Sequence, residues 1–170
     1  MLIYGAGGHG KVVAEAAMLA GFSVVGFIDD NRPSGAKVLK DISIIASSEE
    51  DLSSFGEYFI VAIGDNKVRK QKYNQLVNIL KPSIIIHPYA AVSDEANIGA
   101  GTVILAGAVI NAGVEVGVNC IINSLSLIDH ESRIGDNSHI AQGSIIGSNV
   151  SLSDESTTSL GERINSFTKR

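Results

Sequence analysis

From Ile86 to Ile164 every sixth residue is a bulky aliphatic, with Thr158 the one exception among fourteen positions. An α-helix returns a side chain to one face every 3.6 residues and a pleated strand every second residue, so neither sustains a period of six. A chain that coils as short strands joined by turns does. Each hexapeptide makes one flat side, and three sides close a coil of about 18 residues, which is a parallel β-helix.

The other phases of the repeat agree. Two residues before the aliphatics lie small side chains, among them Ala90, Ala96, Thr102, Ala108, Cys120, Ser126, Ser132, Ser138 and Ser144, as a wall bending inward requires. One residue after them come Gly99, Asn111, Gly117, Asn123, Asp129, Gly135 and Gly147. These residue types tolerate positive φ, so this phase is expected to turn the corners. A run of antiparallel hairpins would show period-two alternation and irregular turn spacing instead.

The first eighty residues have a different texture. Leu2-Ile3-Tyr4 reads as a strand and Gly5-Ala6-Gly7-Gly8-His9-Gly10 as a turn; Val12, Val13, Ala16, Ala17 and Ala20 then mark a helix that Gly21 stops. Phe22–Ile28 reads as a second strand ending in Asp29-Asp30. Val38–Ile45 is expected to hold another strand, followed by a weak helix from Glu49. Tyr58–Ile63 runs into Gly64-Asp65-Asn66, and Val68, Lys72, Tyr73, Leu76, Val77 and Leu80 lie on one helix face. Strands alternating with helices predict a parallel sheet with its ligand at the strands' carboxyl ends. The fold class is thus a half-Rossmann-like α/β domain, residues 1–81, followed by an all-β parallel β-helix, residues 82–170.

Gly5, Gly7 and Gly10 satisfy G-x-G-x-x-G between a strand and a helix, where close backbone approach and a helix N-terminus favour a phosphate. Asp29 or Asp30 would suit a ribose hydroxyl. About eighty residues are too few for both halves of a dinucleotide fold, so one nucleotide diphosphate is the expected ligand rather than NAD.

With 45% hydrophobic residues the chain can bury cores, and a net charge of −5 without a basic run argues against nucleic acid and anionic membranes. No stretch of eighteen apolar residues would span a bilayer, and Met1-Leu2-Ile3-Tyr4-Gly5 has no signal-peptide character, so a cytoplasmic protein is expected. Cys120 falls in the small-residue phase and reads as a packed thiol.

Among the four histidines, His87 sits at the domain junction and reads as structural. His130 and His139 are one and a half hexapeptides apart and outside the aliphatic phase, and His130 stands at a corner beside Asp129 and Glu131. Two histidines on different faces, without cysteine–histidine or H-E-x-x-H spacing, predict no metal. Flat faces and open ends invite self-association, and three-sided prisms pack most simply about a threefold axis, so a homotrimer is expected.

Four motifs in this order resemble one family: Tyr4-Gly5-Ala6-Gly7-Gly8-His9-Gly10-Lys11-Val12-Val13, Phe27-Ile28-Asp29-Asp30, Ala62-Ile63-Gly64-Asp65-Asn66, and the stretch from Ile128-Asp129-His130-Glu131 to His139-Ile140. Together with the hexapeptide period they resemble the sialic acid O-acetyltransferases and the N-acetyltransferases of nucleotide-linked amino sugars. The resemblance implies a left-handed β-helix, a trimer, a UDP-sugar-like acceptor on the glycine loop and acetyl-CoA as co-substrate along the β-helix. It implies that Gly7, Gly8, His9, Asp29, Asp30 and Gly64 contact the nucleotide-sugar. It assigns His130 as general base, Glu131 as the acid that raises its basicity, and His139 and Leu160 as acetyl-CoA contacts. The chain departs from the family at its end, where Thr158 and Glu162 break the pattern and two further coils are expected. The competing possibility is therefore a non-catalytic trimeric nucleotide-sugar-binding protein, or a degenerate acetyltransferase.

Overall fold

The structure is a computed structural model that describes residues 1–47 and 51–170. It divides into two compact units, Met1–Ser83 and Ile84–Arg170.

In the first unit, β1 (Leu2–Tyr4), β2 (Gly26–Ile28), β3 (Lys37–Leu39), β4 (Ile42–Ala46), β5 (Tyr58–Val61) and β6 (Lys81–Pro82) form one sheet of order β3-β4-β2-β1-β5-β6. Helix α1 (Gly8–Leu19) links β1 to β2, and α2 (Asn66–Leu76) links β5 to β6. Leu2, Ile3, Phe27, Ile28, Phe59 and Ile60 are fully buried, as central strands with both faces covered must be. Strand β1 lies between β2 and β5 in parallel register. The chain therefore winds to opposite sides from β1, which places a crevice at its carboxyl end.

The boundaries differ in part from expectation. The second strand shrinks to β2, and the Val38–Ile45 stretch becomes the antiparallel pair β3 and β4, turning at Lys40 with φ 49°. Glu49 lies outside the described residues; among the described residues that follow, Leu52–Ser54 forms a 3-10 turn whose Ser53 N–H donates to Asp51. Helix α2 starts where Asp65 accepts the Val68 N–H at 2.9 Å, a side-chain N-cap.

The second unit consists of thirteen two-residue strands in three parallel sheets of four, five and four strands. Val103 pairs with Ile121, Val109 with Leu127 and Glu115 with Arg133, so each strand meets the one a full coil of 18 residues later. The aliphatic phase fills the interior from Ile104 to Ile164. Ile86, in the first coil, remains 38% exposed because no earlier coil covers it. The small phase is also explained. Thr102, Ser126 and Ser132 are fully buried, and each hydroxyl turns back to donate to a corner carbonyl, Gly117, Asn123 and Gly147 respectively, at 2.7–2.9 Å.

The corners overturn one expectation. Positive φ recurs every six residues, but three places after the aliphatic, from Gly101, Gly107, Gly113 and Asn119 through Leu125, Glu131, Asn137, Gly143, Asn149 and Glu155 to Gly161 and Phe167. Gly117 and Gly135, one place after it, are glycine for want of room. A Cβ on Gly117 would stand 2.3 Å from Asp136 Oδ1, and one on Gly135 2.4 Å from the Asp154 backbone nitrogen. Those carboxylates accept the N–H groups of Val118 and Asp136, each at 2.9 Å, and so lock successive coils together. Gly135→Ala is expected to destabilise this unit by about 1–3 kcal/mol through overpacking, read as a lower urea midpoint at unchanged slope.

The sequence departures after Leu152 do not unwind the coil. Arg163–Ile164 pairs with Ile145–Ile146, and Lys169 bridges to Ser151. Thr158 is 3% exposed, and its hydroxyl accepts the Ala141 N–H at 2.7 Å and meets Ser144 Oγ at 2.9 Å. Threonine thus takes the aliphatic place without leaving a polar atom stranded. Thr158→Val would strand that N–H instead and should cost about 1–3 kcal/mol; an unchanged melting temperature would show the hydroxyl to be idle.

Candidate active site

The crevice beside β1 is a pocket of about 370 Å³ lined by Tyr4–His9, Asp29–Asn31, Ala62–Gly64, Val68 and Lys72. It contains every expected nucleotide-sugar contact. Gly5 takes φ +105°, and a Cβ on Gly10 would lie 2.0 Å from Gly5 O, so strand end and helix start touch only through glycine. Gly7 and Gly8 face open space, with nothing within 4 Å of a built Cβ. Gly7 caps α1 without a side chain, and His9 occupies the helix's first turn. Uncapped N–H groups there suit an anion.

The two aspartates do different work. Asp29 accepts the Ala6 N–H at 2.9 Å and the Asn31 N–H at 3.0 Å, while Arg32 donates to Ala6 O at 2.6 Å. Asp29 and Arg32 together brace the glycine loop. Asp30 accepts from the Tyr4 hydroxyl and, at 2.6 Å, from the Lys72 ammonium, which also lies 5.1 Å from the Tyr4 ring centroid. Burial works against the Lys72 charge, but the hydrogen bonds it donates to Asp30 and Tyr4, with their negative charge, outweigh it and hold the ammonium above its ordinary pKa. Fully buried Arg69 donates to Ile63 O, Gly64 O and Asn66 Oδ1 at 2.7–3.1 Å, fixing the loop that presents Gly64. Sequence reasoning missed Arg32 and Arg69, and treated Tyr4 and Lys72 only as strand and helix-face residues.

In the second unit His130 is exposed in the turn after Leu127–Ile128. It borders a shallow groove of about 590 Å³ whose other walls include Val109, Ile110, Asn111 and Ala112. Its backbone is held on both sides, since its N–H donates to Asp129 Oδ1 at 2.9 Å and its carbonyl accepts the Asn149 N–H at 3.0 Å. Asp129 in turn accepts the Asn111 amide at 2.8 Å. Glu131 adopts φ 58°, unusual for a residue of its type, and its carboxylate lies over Gly113, where a built Cβ would approach Oε1 to 2.6 Å. The carboxylate bonded to the His130 backbone is therefore Asp129, which sequence reasoning had placed beside His130 without giving it a role.

The Asn111 amide, and then the His130 N–H, hold the Asp129 carboxyl below the usual range against slight desolvation. A folded-state pKa below the unfolded one means that the contribution is complete above the unfolded value and is lost as pH falls through the folded value. The turn therefore stays set across the neutral range in which imidazoles titrate. The melting-temperature gap between wild type and Asp129→Ala should be constant above about pH 5 and close on further acidification.

His139 lies elsewhere, in the strand His139–Ile140 paired with Ile121, its Nε2 3.2 Å from Asn123 Nδ2. Leu160 is 77% exposed in the turn before Gly161, whose N–H donates to Gln142 O. Gln142 lies in the turn that ends the His139–Ile140 side, so Leu160 stands at the corner beside that side, and His130 and Glu131 stand at another corner. His87 is buried and its Nδ1 accepts the Tyr89 N–H at 3.0 Å, a structural role. Cys120 is buried against Val118 O and Gly135 O. A second groove, about 580 Å³, runs over the sheet from Asn97 to Ser151 and includes none of the expected site residues. Among the described residues no helix is long and apolar enough to cross a membrane.

Residues 1–76 match the model of the PglD N-terminal domain. The whole structure is similar to PerB from Caulobacter crescentus in complex with CoA and GDP-perosamine, with a TM-score of 0.89 and 28% identity over 99% of this chain and 81% of that one. It is also similar to the acetyltransferase domain of PglB from Neisseria gonorrhoeae FA1090, with a TM-score of 0.72 and 27% identity over 96% and 95% of the two chains. WeeI from Acinetobacter baumannii AYE shares the fold, with a TM-score of 0.83 and 23% identity over 94% and 77%. The α/β unit and the left-handed β-helix thus define an acetyltransferase of the hexapeptide-repeat class. Within that class the first unit matches the PglD N-terminal domain, and the whole chain is similar to sugar acetyltransferases of the kind its four motifs resemble.

Proposed function

We propose that the protein transfers the acetyl group of acetyl-CoA to the amine of a nucleotide-activated amino sugar, with His130 as general base. The observation that carries this is similarity over 99% of the chain to a structure holding both CoA and GDP-perosamine. The nucleotide diphosphate sits on the α1 N-terminus at Gly7, Gly8 and His9, with Asp29, Asp30 and Gly64 around the nucleoside.

Neutral imidazole removes the amine proton as nitrogen attacks the thioester carbonyl. The tetrahedral adduct collapses to the amide and expels the CoA thiolate, which takes the proton back from the imidazolium. Asp129 and Asn111 hold the turn that aims the ring. Glu131, the next residue in the chain, is the acid assigned to support the imidazolium as it forms. Direct transfer needs no enzyme thiol, in keeping with a buried Cys120.

His139 and Leu160 contact acetyl-CoA from an edge other than that of His130. This separation favours a homotrimer in which the acetyl donor of one protomer meets the base of the next. Both substrates are cytoplasmic metabolites, which is where the reaction belongs.

An acetyl-transfer assay with acetyl-CoA, UDP- and GDP-linked amino sugars and free sialic acid tests the proposal. Acetylation of a nucleotide-linked amine is the expected result; no product from any nucleotide sugar, with intact trimers present, would refute it. The non-catalytic alternative predicts nucleotide-sugar binding without acetyl-CoA binding at millimolar ligand.

A further inference from the structure

We infer that Leu125 selects the acyl group: one protomer presents it to the His130 turn of the next, where it favours acetyl-CoA over longer acyl-CoA thioesters. The inference rests on the proposed acetyl transfer by a homotrimer.

Leu125 is an unusual residue for its position. Its corner of the coil recurs once per turn, and the neighbouring members of that column are Gly107, Gly143 and Gly161, with φ of 71°, 66° and 66°. Leu125 takes the same left-handed conformation, φ 60°, which a bulky side chain rarely adopts. It is also 72% exposed, so burial within its own chain does not offset the strain. The side chain is nevertheless seated. A Cβ on Gly107 would stand 2.7 Å from Leu125 Cδ2, and the Leu125 N–H donates to Ala106 O at 3.0 Å. Strain held in place by its surroundings, with no gain to the core, is a mark of functional positions.

The coil fixes where Leu125 stands relative to the base. Leu125 lies at the corner before the strand Leu127–Ile128, and His130 at the corner after it. On that side of the prism Ala91, Val109, Leu127 and Ile145 are in register and point outward, since Val92, Ile110, Ile128 and Ile146 fill the interior. The outward row of the next side is Asn97, Glu115, Arg133 and Ser151, with Arg133 paired to Glu115 at 2.8 Å. The apolar side is therefore the one that three copies turn toward a common axis. An axis along the prism keeps each coil level with the same coil of its neighbours. It joins the corner that begins this side in one copy to the corner that ends it in the next. Leu125 and His130 belong to one coil, so they meet across that junction. Leu160, assigned to acetyl-CoA, stands at the Leu125 corner, linked to it through the Gly143–Ser124 and Gly161–Gln142 hydrogen bonds.

The thioester carbonyl has to reach the amine that His130 deprotonates, which brings the acyl methyl against Leu125. The isobutyl group gives that methyl an apolar contact and fills the space a longer chain would need. One methylene in such a pocket is worth about 10–200-fold in discrimination.

Transfer from acetyl-, propionyl- and butyryl-CoA to one nucleotide-linked amine tests this. The wild type should favour acetyl-CoA over butyryl-CoA by at least about tenfold in kcat/KM. Leu125→Gly should bring the three donors within about threefold at little change in melting temperature, because glycine suits this φ. Mixed trimers of Leu125→Gly and His130→Ala chains should shift back toward the wild-type preference, since an intact base then faces an intact leucine in another chain. An unselective wild type, or a preference that survives in trimeric Leu125→Gly, would overturn the inference and leave acetyl transfer standing. Mixed trimers as unselective as Leu125→Gly alone would also overturn it, as would a variant that dissociates to monomers, which would make Leu125 an assembly contact. No transfer by the wild type from any donor would remove both the inference and the activity beneath it.

Discussion

Replacing His130 with alanine is expected to lower kcat by about 10²–10⁴-fold, the usual worth of general-base assistance, or about 3–5 kcal/mol of barrier. The loss should appear in turnover, with the KM for acetyl-CoA nearly unchanged, because the ring acts on the amine proton rather than on the coenzyme. Stability should hold. The side chain is exposed, and the contacts that set the turn are backbone ones, to Asp129 and from Asn149, which alanine retains. Steady-state kinetics on purified protein with a wild-type melting curve checks this. Full turnover in such a protein would place the base elsewhere.

The second large effect is at the glycine loop. Gly10→Ala should abolish nucleotide binding and destabilise the first unit by about 1–3 kcal/mol or more, because the new methyl carbon would enter backbone. Its Cβ would lie 2.0 Å from Gly5 O and 3.0 Å from Gly5 C, and neither can swing aside as a flexible side chain would. Helix α1 would have to back away from β1, and the anion site made by that approach would go with it. Gly8→Ala supplies the contrast. Nothing lies within 4 Å of its built Cβ, and alanine is the better helix former, so stability should hold or rise slightly while UDP affinity falls as the methyl enters the pocket. Equal stability losses in the two variants, by hydrogen exchange or thermal melting, would contradict this division.

The parts of the fold legible from sequence were those in which one physical demand acts on one phase. The hexapeptide aliphatics all face a single interior, so their period survives in the chain as written. Thr158 breaks it visibly, yet its hydroxyl finds partners in Ala141 and Ser144, which a residue count cannot foresee. The corner glycines misled for a related reason. Glycine serves both positive φ and close approach, and only the stacking of Gly117 under Asp136 and of Gly135 under Asp154 tells the two uses apart. In the α/β unit, the G-x-G-x-x-G turn was readable because strand, turn and helix are contiguous. The bond from Lys72 to Asp30 was not, since 42 residues separate them.

From the chain alone came the architecture of both units, the glycine loop and the candidate site residues, because periodicity and local turn geometry are written in neighbouring residues. Folding in three dimensions divided labour among them: Asp29 to the loop, Asp30 to the open pocket and Asp129 to the His130 backbone. The physical reason is that a carboxylate's role is set by the donor that reaches it, and those donors, Ala6, Lys72 and Asn111, arrive from other strands, coils and helices.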